Sequence, residues 1–234
     1  MNILDFAIIA ILGLFVLGGL YKGFMHTTID IICYMLCVLF GFLMMPIVSF
    51  NVIQNESVFN TMLYYTEGSE NIYDVEFKKR DIAEISNAEL EDIYEHSEVA
   101  FPMDERIRSN VSDAAFQSQG ITTLGDYFNQ TMVIVTINIV VFLLLFAALR
   151  IVLAFGVGWW NYASPFPVLK KFEIPAAIGT GLIHGILAVF LLFMVIPIVL
   201  TVLPFDVVSE LVENSLLARF FYYSNFLLAL TPGV

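Results

Sequence analysis

His184 is, by type and place, the residue of this chain best suited to chemistry. It lies within residues 178–196, a run without a charged side chain. An imidazole at membrane depth relays protons or lines a polar path in some proteins, and ionisable groups there are costly enough to suggest function. A neutral imidazole bonded to Asn138 or to a backbone carbonyl is the plainer reading, since no acidic residue is expected at the same depth. Asp5, Asp30, Asn138 and Arg150 are the other polar groups set in or beside apolar runs. Asp5 is placed to cap a first helix, where the helix dipole favours a carboxylate. Asp30 and Arg150 read as snorkelling groups, each solvated alone, with a salt bridge between two helices as the alternative. Cys33 and Cys37 stand four apart in an apolar run, which suits packing and gives poor disulfide geometry.

Covalent catalysis finds little footing. No G-x-S-x-G, Walker loop or HExxH occurs, and His26, His96 and His184 fall in three different environments. The expectation is a chain that is not an enzyme and carries no cofactor or metal.

The elements that hold these residues are membrane spans. Of the 234 residues, 59% are hydrophobic and 14% charged; a soluble domain carries about a quarter charged residues. Four apolar runs reach or approach the ~20 residues that cross a bilayer core: residues 3–20, 31–50, 132–149 and 175–201. With no Lys or Arg before it and no A-x-A site after it, the first is not expected to be a cleaved signal peptide. Gly18, Gly19 and Gly23 are expected to end the first helix, with Lys22 in a short turn reaching His26. Pro46 is expected to kink or end the second. Trp159, Trp160 and Tyr162 form an aromatic belt before the break at Ser164-Pro165-Phe166-Pro167. Pro197 and Gly179 are possible breaks in the fourth span.

Residues 49–131 are different in kind, with sixteen acidic and five basic side chains, a local charge of −11. Ser86-Asn87-Ala88-Glu89 reads as a capping box opening a helix with Leu90, Ile93 and Tyr94 on one face. A second helix is expected over residues 104–117, with Ile107, Val111 and Ala114 together. Gly120 and Gly125 punctuate the return to the membrane. Phe59, Tyr64, Tyr65, Tyr73, Phe77 and Phe101 are expected to anchor a compact acidic cap rather than a disordered tether. After Pro204, residues 206–213 read as a short amphipathic helix. Residues 216–230, interrupted by Arg219, suit an interfacial or re-entrant helix. No basic patch exists to neutralise nucleic-acid phosphates, so the bilayer and other membrane proteins are the expected partners.

Ala177, Gly181 and Gly185 recur every four residues and form one face of the fourth span, where a small-residue stripe admits a neighbouring backbone. Gly19 and Gly23 repeat that spacing at the end of the first span. Lys22, Arg150, Lys170 and Lys171 all belong to the two short loops, which the positive-inside rule places in the cytoplasm. Both termini and the acidic segment then face outward.

Gly19-Leu20-Tyr21-Lys22-Gly23-Phe24, after an apolar helix opening Asn2-Ile3-Leu4-Asp5, resembles the start of the colicin V production protein (CvpA) family. The striped fourth span is similar to that family's glycine-rich later helix. The resemblance covers roughly residues 1–48 and 132–200. It implies a bacterial inner-membrane protein linked to toxin production or export and to envelope homeostasis, without a catalytic site. Some relatives carry a serine protease domain after the membrane part; none is expected here. The long acidic segment departs from the family, whose members have a short connection there.

The expected architecture is therefore an all-α polytopic membrane protein with four transmembrane helices, an acidic extracytoplasmic helical insert and a C-terminal interfacial helix. Its divisions are residues 1–50, 51–130, 131–204 and 205–234. The expected function is a membrane scaffold or accessory factor, associating with export proteins or with itself. The alternative is a small channel or transporter with a polar path near His184 and Asn138.

Overall fold

The computed structural model describes residues 2–158, 172–202 and 206–234. The expected aromatic belt, the break at 164–167, Lys170, Lys171 and Pro204 lie outside the described residues. The chain is all-α and polytopic: four helices are long and apolar enough to cross a membrane. In order, α1 spans Ile3–Lys22, α2 Phe24–Ile53, α3 Glu56–Thr66, α4 Val75–Lys79, α5 Asn87–His96 and α6 Met103–Ser112. Then come α7 Leu124–Gly158, α8 Glu173–Phe193, α9 Ile196–Val202, α10 Asp206–Glu213, α11 Leu216–Tyr223 and α12 Phe226–Ala229. Two compact units result.

The first unit takes in Met1–Met45, Phe142–Met194 and Asp206–Asn225. Helix α1 runs straight through Gly18 and Gly19, and the chain breaks only at Gly23, with φ at 83°. That left-handed value is cheap only for glycine. Helix α2 begins at Phe24, so the expected turn to His26 is replaced by a one-residue break and the second span starts seven residues early. Pro46 is accommodated inside α2, which continues to Ile53. Thirty residues at 1.5 Å rise make α2 about 45 Å long, more than the ~30 Å hydrocarbon core. Helix α8 passes Gly179 without interruption and stops at Phe193. Pro197 explains the stop: its ring excludes a helical carbonyl four residues back, at position 193. What the sequence presents as one span is thus α8 and α9, separated at Met194 and Val195.

Helices α1 and α8 pack backbone against backbone. A Cβ on Gly19 would lie 2.5 Å from the Ala177 carbonyl oxygen and 3.0 Å from the Gly181 Cα. One on Gly181 would lie 2.7 Å from the Phe15 carbonyl oxygen, and one on Gly185 3.0 Å from the Phe15 Cβ. Gly23 has open space at its Cβ position; the packing role expected of it is a conformational one instead. Helix α2 meets α7 through Gly41 and Phe142 and through Tyr34 and Phe146, whose rings are 4.9 Å apart. The Tyr34 hydroxyl donates to the Leu187 carbonyl at 2.7 Å. Helix α10 has the expected bounds. The 216–230 stretch, however, is two helices rather than one, because α11 stops at Tyr223. Asn225, just past that stop, donates its amide to the Phe190 carbonyl at 2.8 Å. Phe221 of α11 stacks edge-on against Phe190 of α8 at 5.0 Å.

The second unit comprises Pro46–Val141, Val195–Phe205 and Phe226–Val234. Helix α7 begins at Leu124, two turns before the expected 132. The core of this unit is Ile72, Ile85, Ile93, Met103, Ile107, Phe116, Leu124, Tyr127 and Phe128, all buried. Of the six aromatic anchors the sequence suggests, Phe59, Phe77 and Phe101 are half-buried, whereas Tyr64 is 69% exposed, Tyr65 54% and Tyr73 53%. Isoleucine and methionine fill the interior together with Phe116, Tyr127 and Phe128, while those three tyrosines stay at the surface. Ser86 and Glu89 form the expected capping box at α5. The Ser86 backbone and hydroxyl hydrogens, with Arg80 beside them, hold the Glu89 carboxyl down at about 2. Helix α6 ends at Ser112, short of the expected 117, and carries Ile107 and Val111 into the core. Arg108 lies over the Tyr94 ring at 4.3 Å and pairs with Glu91 at 2.7 Å, tying α6 to α5. Gly125 sits inside α7, where a Cβ would be 2.8 Å from the Lys78 carbonyl oxygen. Only Gly120, at φ 79°, makes a turn.

Candidate functional site

Three polar constellations organise the chain. The first is a cleft of about 230 Å³ in the first unit, lined by Leu14, Phe15, Gly18, Gly19, Lys22, Thr27, Asp30 and His184. Its charged end is a three-membered ion pair. Lys22 Nζ is 2.8 Å from one Asp30 oxygen and Arg150 Nη2 is 3.4 Å from the other. Asp30 and Arg150, expected as separately solvated groups, are therefore paired across α2 and α7. Lys22 joins them because the single-residue break at Gly23 returns the chain at once, bringing the end of α1 beside the first turns of α2. His184 lies further along the cleft, its ring 4.9 Å from Phe15 and 6.0 Å from Tyr34, both edge-on. Among the described residues its imidazole has aromatic neighbours and no hydrogen-bond partner.

The second constellation centres on Asp5, which is fully buried. Asn2 is the N-cap of α1, and Asp5 closes the capping box by accepting from the Asn2 backbone N–H at 2.7 Å. The other carboxylate oxygen accepts from the Ser215 hydroxyl at 2.7 Å and from the Leu217 N–H at 2.9 Å. One carboxylate thus serves the N-termini of both α1 and α11, where two sets of unpaired N–H groups and two positive dipole ends converge. The Asn2 side-chain amide reaches the Leu211 carbonyl at 2.6 Å, fastening α10 as well. Helix capping was legible for Asp5; its second client, 210 residues away, was not. The Asn-x-x-Asp spacing was the available signal.

The third lies in the second unit. Asn138, expected beside His184, donates instead to the Pro232 carbonyl at 2.9 Å. Asn110, buried, donates to the Gly233 carbonyl at 2.8 Å and to the Thr131 hydroxyl at 2.9 Å. Arg106 donates to the Ala229 carbonyl. A Cβ on Gly233 would come within 2.9 Å of the Arg106 Cβ. Residues 229–233 are thereby held through their own carbonyls by side chains of α6 and α7. Sequence reasoning named neither Asn110 nor Arg106, because nothing local marks an amide that will meet a carbonyl 123 residues away.

Cys33 and Cys37 are buried free thiols on α2. Among the described residues no three His, Cys, Asp or Glu side chains gather as metal ligands. Comparison with protein-family models, with curated proteins and with solved structures finds no match.

Proposed function

We propose that the chain is a non-enzymatic accessory or scaffold protein of the bacterial inner membrane, serving toxin export or envelope homeostasis as its resemblance to the CvpA family implies. One observation supports this reading above others: three polar groups set in or beside the spans are committed to the fold. Asp5 holds two helix starts, Asn138 a backbone carbonyl, and Asp30 two cations. Such groups fix helix positions, which is what a platform for partner proteins needs. Affinity purification in mild detergent is expected to recover stoichiometric membrane or export proteins, or further copies of the chain, with no solute flux in liposomes.

The cleft beside His184 favours the second reading, a small channel or transporter. In that case reconstituted protein would carry protons or a small solute, and His184→Ala would abolish the flux. Flux of that kind without any retained partner overturns the scaffold.

The proposed orientation puts Lys22 and Arg150 in the cytoplasm, and the termini with the acidic insert outside. A lone cysteine at Ser69→Cys is expected to react with an impermeant thiol reagent in intact cells, and one at Ser164→Cys only after lysis. The opposite pattern inverts the topology.

A further inference from the structure

The cleft on α1, α2 and α8 has a chemical gradient along it. Its charged end holds Lys22 and Asp30, with Arg150 bound to the far side of the same carboxylate. Two cations face one carboxylate, so a positive charge is left uncompensated, and lysine and guanidinium each keep N–H groups that Asp30 does not take. His184 adds a polar edge beside Phe15. About 12 Å nearer the middle of α1, at eight residues of helical rise, the lining becomes Leu14 and Phe15. Leu14 is exposed, on a helix apolar enough to face lipid. Gly18 leaves room between the two ends, with nothing within 4 Å of its Cβ position.

We propose that this cleft binds an anionic phosphate group, and that its source is the headgroup of an anionic phospholipid. A phosphodiester completes the charge of the Lys22–Asp30–Arg150 cluster through charge-assisted hydrogen bonds. Basic pockets between helices at a membrane surface suit such headgroups. The apolar end explains why the phosphate comes with acyl chains attached: glycerol and the upper methylenes continue along Leu14 and Phe15 into the bilayer. A zwitterionic headgroup is disfavoured, because it brings no net negative charge to the cluster and its ammonium would compete with Lys22 for Asp30. This inference stands independently of the scaffold reading.

The test uses the full chain in detergent, delipidated and then offered phosphatidylglycerol, phosphatidylcholine or inorganic phosphate, with bound lipid counted by native mass spectrometry. Phosphatidylglycerol is expected to be retained over phosphatidylcholine and to raise the thermal midpoint. Lys22→Gln removes one charge-assisted donor and is expected to cut retention about tenfold. Gly18→Leu fills the cleft without touching a charge and is expected to do the same, whereas Gly13→Leu, whose Cβ position is equally open but outside the cleft, is expected to retain lipid normally. Gly18→Leu should melt like the parent in phosphatidylcholine, and Lys22→Gln, which also loses its ion pair to Asp30, should show no rise from its own phosphatidylcholine midpoint when phosphatidylglycerol is added, which separates lost binding from lost folding. Inorganic phosphate that displaces phosphatidylglycerol at equal concentration keeps the phosphate site and overturns its lipid source. Equal retention of the two lipids, or full retention in well-folded Gly18→Leu and Lys22→Gln, overturns the site itself.

Discussion

Gly181→Ala and Gly179→Ala, two residues apart on α8, should move stability in opposite directions. In a helix interior alanine is favoured over glycine by about 0.5–1 kcal/mol, because it has less chain entropy to lose. Gly179 has nothing within 4 Å of its Cβ position, so that gain should appear almost undiminished. At Gly181 the new methyl would sit 2.7 Å from the Phe15 carbonyl oxygen and 3.0 Å from the Val16 Cα. Both are backbone atoms and cannot rotate aside, so α1 and α8 must separate. Overpacking of that kind costs roughly 1–3 kcal/mol, and Gly181→Leu should exceed the alanine variant. Thermal unfolding in a single detergent reads both signs. A Gly181→Ala protein as stable as Gly179→Ala would mean that α1 and α8 do not cross at this glycine.

Asp5 carries the second large effect. Asp5→Asn preserves size but exchanges one acceptor oxygen for an NH₂ donor. Whichever way the amide turns, a donor then faces a donor, either the Asn2 N–H or the Ser215 hydroxyl with the Leu217 N–H. Both helix starts suffer, and the site is buried, so water cannot make up the loss. The thermal midpoint should fall by roughly 5 °C or more. Ser215→Ala removes one donor of the same set together with the cap to the Ala218 N–H. Combined with Asp5→Asn it should therefore cost less than the two effects added, as partners in one network do. Strict additivity, or an Asp5→Asn midpoint within 1 °C of the parent on the same scale, would show that α11 does not depend on this carboxylate.

The class of molecule and the small-residue face of α8 are legible in the chain without its fold. Both are local, periodic properties: long uncharged runs demand a helix in lipid, and glycine or alanine every fourth residue lines one face whatever lies opposite. The capping box at Ser86 and the bounds of α10 were legible for the same reason, since their partners lie within a turn or two of the chain. Tertiary structure alone decided where the polar groups go. Asp5 meets Leu217, Asn110 meets Gly233 and Asn138 meets Pro232 across 212, 123 and 94 residues respectively. A side-chain amide or carboxylate has no periodicity to betray such a partner, and its partner is often a backbone group that every residue type supplies equally. The choice of Ile72 and Ile85 over Tyr64, Tyr65 and Tyr73 as core was decided the same way, whereas Ile93 lies buried on the face of α5 that its periodicity marks. Short helices of a polar segment present several faces, and which one turns inward depends on the helices that cover it.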